Sequence, residues 1–291
     1  FDPAVMNDGG VIRLYFGTGP FRGKEVKPWN AFLLSKVYSV VFGKPAGAFS
    51  QKPGPLGANA AALCEDMLTL KEPPKRIADT PDFKGHAFFE GGSIRKIGQT
   101  YYFVYSSQKN HELCYATSSY PDRGFRYRGT LVSNGDVGYC GRKEKKRCNA
   151  TGTTHGGMEQ LGDRWYIFYH RLTHGSDYSR QMCAEPLIIQ PDGSIAQVEM
   201  TSCGLNGGDL PGKGEYPAAI CCNLTNGKMP HIANQIRKNI PCVTHCSAEW
   251  YIGNAAKGTQ IGYKYFDIRG VTELRLTARG VGQILISLNH E

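Results

Sequence analysis

Residues 86–107 read HAFFEGGSIRKIGQTYYFVYSS. A carboxylate, Glu90, stands between two phenylalanines and two glycines, and an uncharged aromatic run, TYYFVYSS, follows. Aromatic and β-branched side chains pack well on a pleated surface, so the run predicts a strand built to be buried. Two similar stretches occur, GGVIRLYFGTG at 9–19 and LGDRWYIFYHR at 161–171. Each passes from a glycine turn into Tyr, Trp and Phe. Gly98 and Gly162 lie 64 residues apart, whereas Gly10 precedes Gly98 by 88, so the first interval holds an insertion. A period of ~60 residues accommodates a four-stranded sheet with generous loops. Such a sheet cannot bury both faces alone, and several closing into a ring make a β-propeller.

The intervening segments fit strands. CYATSSYPDRGFRYRGTLVS (114–133) predicts two strands around a Pro-Asp-Arg-Gly turn, and PLIIQPDGSIAQVEM (186–200) predicts a hairpin on Pro-Asp-Gly. NAFLLSKVYSVVFGKPAGAF (30–49) reads as two strands or a short helix, and ALCEDMLTL (62–70) as a helical turn or a strand. After about residue 205 the composition changes. GLNGGDLPGKGEYPA is rich in Gly and Pro, as in a linker. Beyond it, AEWYIGN and TQIGYKYFDIRGVTELRLTARGVGQILISLN alternate like sandwich strands. The expected fold is therefore all-β: an incomplete five-bladed β-propeller of about three blades over 1–210, a linker over 211–230, and a partial β-sandwich over 231–291.

Bulk properties narrow the function. Hydrophobic residues at 41% and charged residues at 20% of 291 are ordinary for a globular chain. The net charge is +9, but the basic residues are scattered. Their one dense run, GRKEKKRC at 141–148, reads as a solvated loop rather than a nucleic-acid stripe. No apolar run approaches the ~20 residues of a membrane helix. The ten cysteines, at 64, 114, 140, 148, 183, 203, 221, 222, 242 and 246, contain no C-x-x-C. They fit a secreted protein with disulfides or buried thiols. Cys140 and Cys148 could close the basic loop. Cys242, His245 and Cys246 leave a metal reading open, one that needs further ligands such as Cys221 or Cys222. The chain opens on FDPAV without Met or a signal peptide, as expected of a piece from inside a longer protein.

The order of DPAV, FFEGGSIRKIG-TYYFVYSS, TGTTHGG-GDRWYIFYHR and PLII-PDGSI resembles glycoside hydrolase family 43 over residues 1–205. The Glu-Gly-x-Ser-Ile-x-Lys block is its most specific part. The tail YIGNAAKGTQIGYKYFDIRG resembles the early half of a family 6 carbohydrate-binding module. The first resemblance implies a five-bladed propeller acting on xylan or arabinoxylan, as a β-xylosidase or α-L-arabinofuranosidase. It places Glu90 as the general acid and Asp2 as the aspartate that orients the acid and raises its pKa. His155 falls at the histidine facing the central channel, where a structural calcium can lie, although no cofactor is required. Arg180 falls at a sugar-binding arginine, with Arg171 and Phe89 as further sugar contacts. Trp29 is a candidate for stacking on sugar. The family's general base lies in a first blade that this chain does not include, so the chain alone is expected to hydrolyse little.

Family 43 inverts configuration. Inversion needs a protonated carboxyl at the leaving oxygen and an ionised one activating water, roughly 6.5–9.5 Å away. Burial or a neighbouring negative charge keeps the acid protonated, tasks that fall to Phe88, Phe89 and Asp2. The competing reading is a non-catalytic carbohydrate-binding propeller. Polysaccharide or oligosaccharide is the expected partner, with neither nucleic acid nor membrane.

Overall fold

A computed structural model of the chain describes residues 2–19, 28–49, 57–78, 80–231 and 240–288. Three antiparallel sheets follow one another. The first holds β1 (Ala4–Asp8), β2 (Val11–Phe16), β3 (Asn59–Ala62) and β4 (Lys75–Arg76), in that order. The second holds β5 (Phe88–Ile97), β6 (Thr100–Ser107), β7 (Glu112–Ser118) and β8 (Arg126–Ser133), also in order. The third holds β9 (Gly157–Leu161), β10 (Arg164–Thr173) and β11 (Ser176–Leu187), with β10 central. Each repeated stretch is the second strand of its sheet. The glycines that open the repeats make the hairpin turns: Gly10, Gly98 and Gly162 have φ of 90°, 59° and 61°. Positive φ is what a two-residue hairpin turn demands and what a side chain resists.

Strand β6 shows why the aromatic run is uncharged. Tyr101, Phe103 and Tyr105 enter one core with Tyr15, Phe83, Phe88 and Phe125. Tyr102 and Val104 enter another with Tyr115, Met158, Ile167 and Tyr169. Successive residues of a strand point to opposite faces, so the second sheet is wedged between its neighbours and buried on both. Burying each large side chain contributes about 1.5–3 kcal/mol.

The insertion of the first interval carries the main departure from an all-β fold. Residues 30–49 resolve as a helix, α1 (Pro28–Phe42), followed by a 3-10 turn, Ala46–Phe49. Proline is tolerated in the first helical turn, and Gly43 with φ of 61° ends the run. The 62–70 stretch is neither helical turn nor full strand: β3 ends at Ala62 and only Leu63 bridges Leu70. The hairpin expected at 186–200 reduces to a single bridge, Ile189 to Ile195.

Six short strands complete the chain: β12 (Leu210–Pro211), β13 (Asn223–Thr225), β14 (Cys242–Cys246), β15 (Glu249–Gly253), β16 (Gln260–Gly262) and β17 (Phe266–Asp267). They form only pairs: β12 with β17 in parallel, and β13 with β16 and β14 with β15 antiparallel. The alternating residues 268–288, expected as sandwich strands, form none. Leu274, Val281 and Leu285 there are exposed, since alternation makes a strand only where a partner backbone takes its hydrogen bonds. The stretch expected as a linker is packed instead: Ala219, Cys221, Cys222 and Leu224 are buried. All ten cysteines are free thiols, so Cys140, exposed, and Cys148, buried, do not close the basic loop. Among the described residues no helix is long and apolar enough to cross a membrane.

Candidate active site

The first strand of the second sheet, β5, lies against β1 and β9, the first strands of the other two. The three candidate side chains Asp2, Glu90 and His155 sit at corresponding ends of these strands. Asp2 is two residues before β1, Glu90 is the third residue of β5, and His155 is two residues before β9. Their donor atoms all lie within 4.8 Å of one another. His155 Nε2 is 3.0 Å from Glu90 Oε1, and His155 Nδ1 is 3.8 Å from Asp2 Oδ2. Glu90 and His155 are partly buried, with 27% and 24% of their side-chain surface exposed, against 48% for Asp2. The group is thus open to a ligand on the Asp2 side.

Local backbone explains how these residues meet. The β5–β6 register shifts on both sides of Glu90, which pairs with Ser106; such irregularities re-aim a side chain. Gly91, φ 65°, follows, and a Cβ there would meet the His155 ring at 3.1 Å. The glycine after Glu90 is therefore the floor on which the imidazole rests. At the other side of the site, a Cβ on Gly156 would strike the Phe168 carbonyl, so this glycine lets the His155 loop reach β10.

A residue that sequence reading passed over completes the group. His170 ends the FYH of the third repeat, and its Nε2 accepts from the His155 backbone N–H at 3.2 Å. The two rings meet edge to face, centroids 6.1 Å apart. Burial lowers His170's pKa to about 4, helped by the positive charge of Arg180 and by His155. His170 is therefore a neutral imidazole at neutral pH. With Nε2 accepting, its proton sits on Nδ1, a buried atom without a hydrogen-bond partner among the described residues. Strand parity carried the signal: Ile167 and Tyr169 face the core, which puts 168 and 170 on the other face.

The remaining candidates separate. Arg180, exposed on β11, donates from Nε to the Asp177 carbonyl at 3.1 Å and is close enough to His170 to depress its pKa. Phe89 is half-buried beside Glu90. Phe88 does not line the site: it is 4% exposed and packs on Phe103 and Tyr105. Arg171 is no sugar contact either. It is 4% exposed, and its guanidinium donates to the Ala219 and Cys221 carbonyls and to Gln181 Oε1. Parity again decides, since 171 faces opposite to 170. The side chain of Trp29 lies outside the described residues.

Calcium takes roughly six to eight oxygen ligands. Asp2, Glu90 and His155 offer two carboxylates and a nitrogen, a donor set short of a calcium cage.

No family model matches the chain. A xylosidase/arabinosidase of Thermoclostridium stercorarium is 39% identical over 96% of this chain and 56% of its own length. A xylosidase/arabinosidase of Bacteroides ovatus is 29% identical over 68% of this chain and 57% of its own. Among solved structures, a GH43_1 enzyme from Xanthomonas citri is 28% identical, with 68% of this chain and 56% of that one covered at a TM-score of 0.49. The chain spans about half the length of the curated relatives it matches. The similarity to curated xylosidase/arabinosidases supports the resemblance to glycoside hydrolase family 43 that the sequence motifs carry.

Proposed function

We propose that the chain is part of an inverting glycoside hydrolase that removes terminal or side-chain xylose or arabinofuranose from plant hemicellulose, with Glu90 as proton donor. The observation that carries this reading is the convergence of Glu90, His155 and Asp2 from three separate sheets on one partly open spot.

The geometry supports a shared proton path. His155 Nε2 is 3.0 Å from Glu90 Oε1 and its Nδ1 is 3.8 Å from Asp2 Oδ2, so the imidazole links the two carboxyl groups. Asp2 is thereby assigned to act on Glu90 through the imidazole as well as by its charge. Asp2 is also too near Glu90 to serve as an inverting base, which stands roughly 6.5–9.5 Å from the acid. Arg180 is assigned to a sugar hydroxyl and Phe89 to a sugar face. The expected ligand is xylan or arabinoxylan, and the expected location is extracellular.

In the protein that carries this chain, Glu90→Gln lowers kcat on unactivated xylosides or arabinofuranosides by on the order of 10²–10⁴-fold, the contribution of a positioned general acid. Aryl glycosides whose leaving group needs no proton lose much less, and sugar binding by calorimetry persists. Equal loss for both leaving groups would remove Glu90 from this role.

A further inference from the structure

We propose that His86, Glu112 and Cys114 form a binding site for one divalent transition-metal ion of the zinc class, sharing no residue with the Asp2–Glu90–His155 group. Their donor atoms lie within 4.8 Å of one another. Glu112 and Cys114 are alternate residues of β7 and so share a face. His86 is brought to that face by two contacts: the Tyr105 hydroxyl donates to its carbonyl at 2.8 Å, and its ring stacks on Tyr127 at 4.9 Å.

The geometry suits a tetrahedral ion. Zinc binds imidazole nitrogen and carboxylate oxygen at about 2.0–2.2 Å and thiolate sulfur at about 2.3 Å, which puts donor pairs roughly 3.3–3.6 Å apart. Cys114 Sγ is already 3.7 Å from His86 Nδ1. Glu112 Oε1, at 2.7 Å from the same nitrogen, need open by less than ~1 Å. Nδ1 faces both partners, so the ligating imidazole carries its proton on Nε2. An outer layer holds the ligands in place, as metal sites require. Ser107 Oγ donates to Glu112 Oε1 at 2.6 Å, Thr130 Oγ1 donates to Oε2 at 3.3 Å, and Cys114 Sγ lies 3.6 Å from Thr130 Oγ1. The His86 side chain is 27% exposed, which leaves an entry path and a fourth position for water.

The site already holds a cation. The Lys109 ammonium lies 3.7 Å from Glu112 and 3.4 Å from each ring nitrogen of His86. The buried Glu112 carboxylate thus sits beside an imidazole and a thiol, against an ammonium on a flexible stem that is 36% exposed. A divalent ion displaces that ammonium to solvent. The Cys114 thiol gives its S–H proton to water as the metal–sulfur bond forms.

The test titrates Co(II) into the folded, reduced 291-residue chain. One equivalent should produce thiolate-to-cobalt charge transfer and tetrahedral ligand-field bands, both abolished by Zn(II). In Cys114→Ser the charge transfer should vanish with the far-ultraviolet circular dichroism unchanged. In Lys109→Met, a partly exposed change outside the ligand set, affinity should rise about tenfold or more, because a unit charge no longer competes. Absence of charge transfer, its persistence in Cys114→Ser, or affinity unchanged in Lys109→Met would each overturn the assignment.

Discussion

At the scale of single residues, Gly91 and Gly92 share a strand but answer to different neighbours. A Cβ on Gly91 would press on the His155 ring at 3.1 Å, whereas one on Gly92 would strike the Phe103 ring at 2.8 Å. Gly91 also has φ of 65°, which strains any side chain by about 1–3 kcal/mol. Gly91→Ala is therefore expected to destabilise by about that amount and to move the imidazole off Glu90. On the proposed role of Glu90, the pH profile of hydrolysis by the protein that carries this chain should shift with it. Gly92→Ala should lower stability through the core alone and leave the profile in place. Urea denaturation paired with pH–rate measurements separates the two, and identical pH profiles would show that the Gly91 contact does not position His155. His170 belongs to the same scale: it holds the His155 backbone and stays neutral because it is buried beside Arg180.

At the scale of elements, strand β10 shows what a sequence discloses and what it hides. Its period was legible: Ile167 and Tyr169 face the core as alternation requires, and the turn at Gly162 opens the strand. The ends of the strand were not. Arg171 reads as a sugar contact, but its acceptors, Ala219 and Cys221, lie about fifty residues on, in a stretch whose Gly and Pro content reads as linker. Local composition carries no signal of so remote a partner. The failure at 268–288 has the opposite cause: the alternation is present and no backbone pairs with it. For the site, Glu90, Asp2 and His155 were legible through an ordered motif, while His170 was hidden in a strand read as packing. Arg171→Met is expected to leave two buried carbonyls without their donor, at about 1–3 kcal/mol each. It should destabilise by about 2–6 kcal/mol in denaturant and free the 218–222 segment for limited proteolysis. A variant as stable and as protease-resistant as the native chain would show that Arg171 does not anchor the 218–222 segment.

At the scale of the whole molecule, buried carboxylates tie the second and third sheets to the 200–201 segment that follows β11. Glu185 on β11 accepts from the Tyr169 hydroxyl at 3.1 Å and from the backbone and hydroxyl of Thr201 at 2.8 and 2.6 Å. Asp136, just past β8, accepts from the Met200 N–H at 2.8 Å and lies 4.0 Å from Lys264. Burial drives Glu185 to about 7, against the opposing hydrogen bonds, and Asp136 to about 6. An acid whose folded pKa exceeds its unfolded one binds more protons folded than unfolded. Its stabilising contribution is complete below the unfolded value, near 4.5 for glutamate, and declines as pH rises through about 7. Above that it is flat. Glu185→Gln keeps the acceptor oxygen for Tyr169 and the Thr201 N–H, places an amide donor opposite the Thr201 hydroxyl, and has no proton to lose. The variant should therefore gain on the native chain as pH climbs from 5 to 8, by up to about 3 kcal/mol for a shift of this size. Urea midpoints at pH 5, 6, 7 and 8 read the difference directly, and subtraction cancels the opposite slope of His170, whose pKa of about 4 makes stability fall on acidification below its unfolded value. A native-minus-variant difference that stays constant across this range would mean that Glu185 is ionised throughout. The contact between β11 and Thr201 would then rest on a carboxylate rather than on a neutral acid.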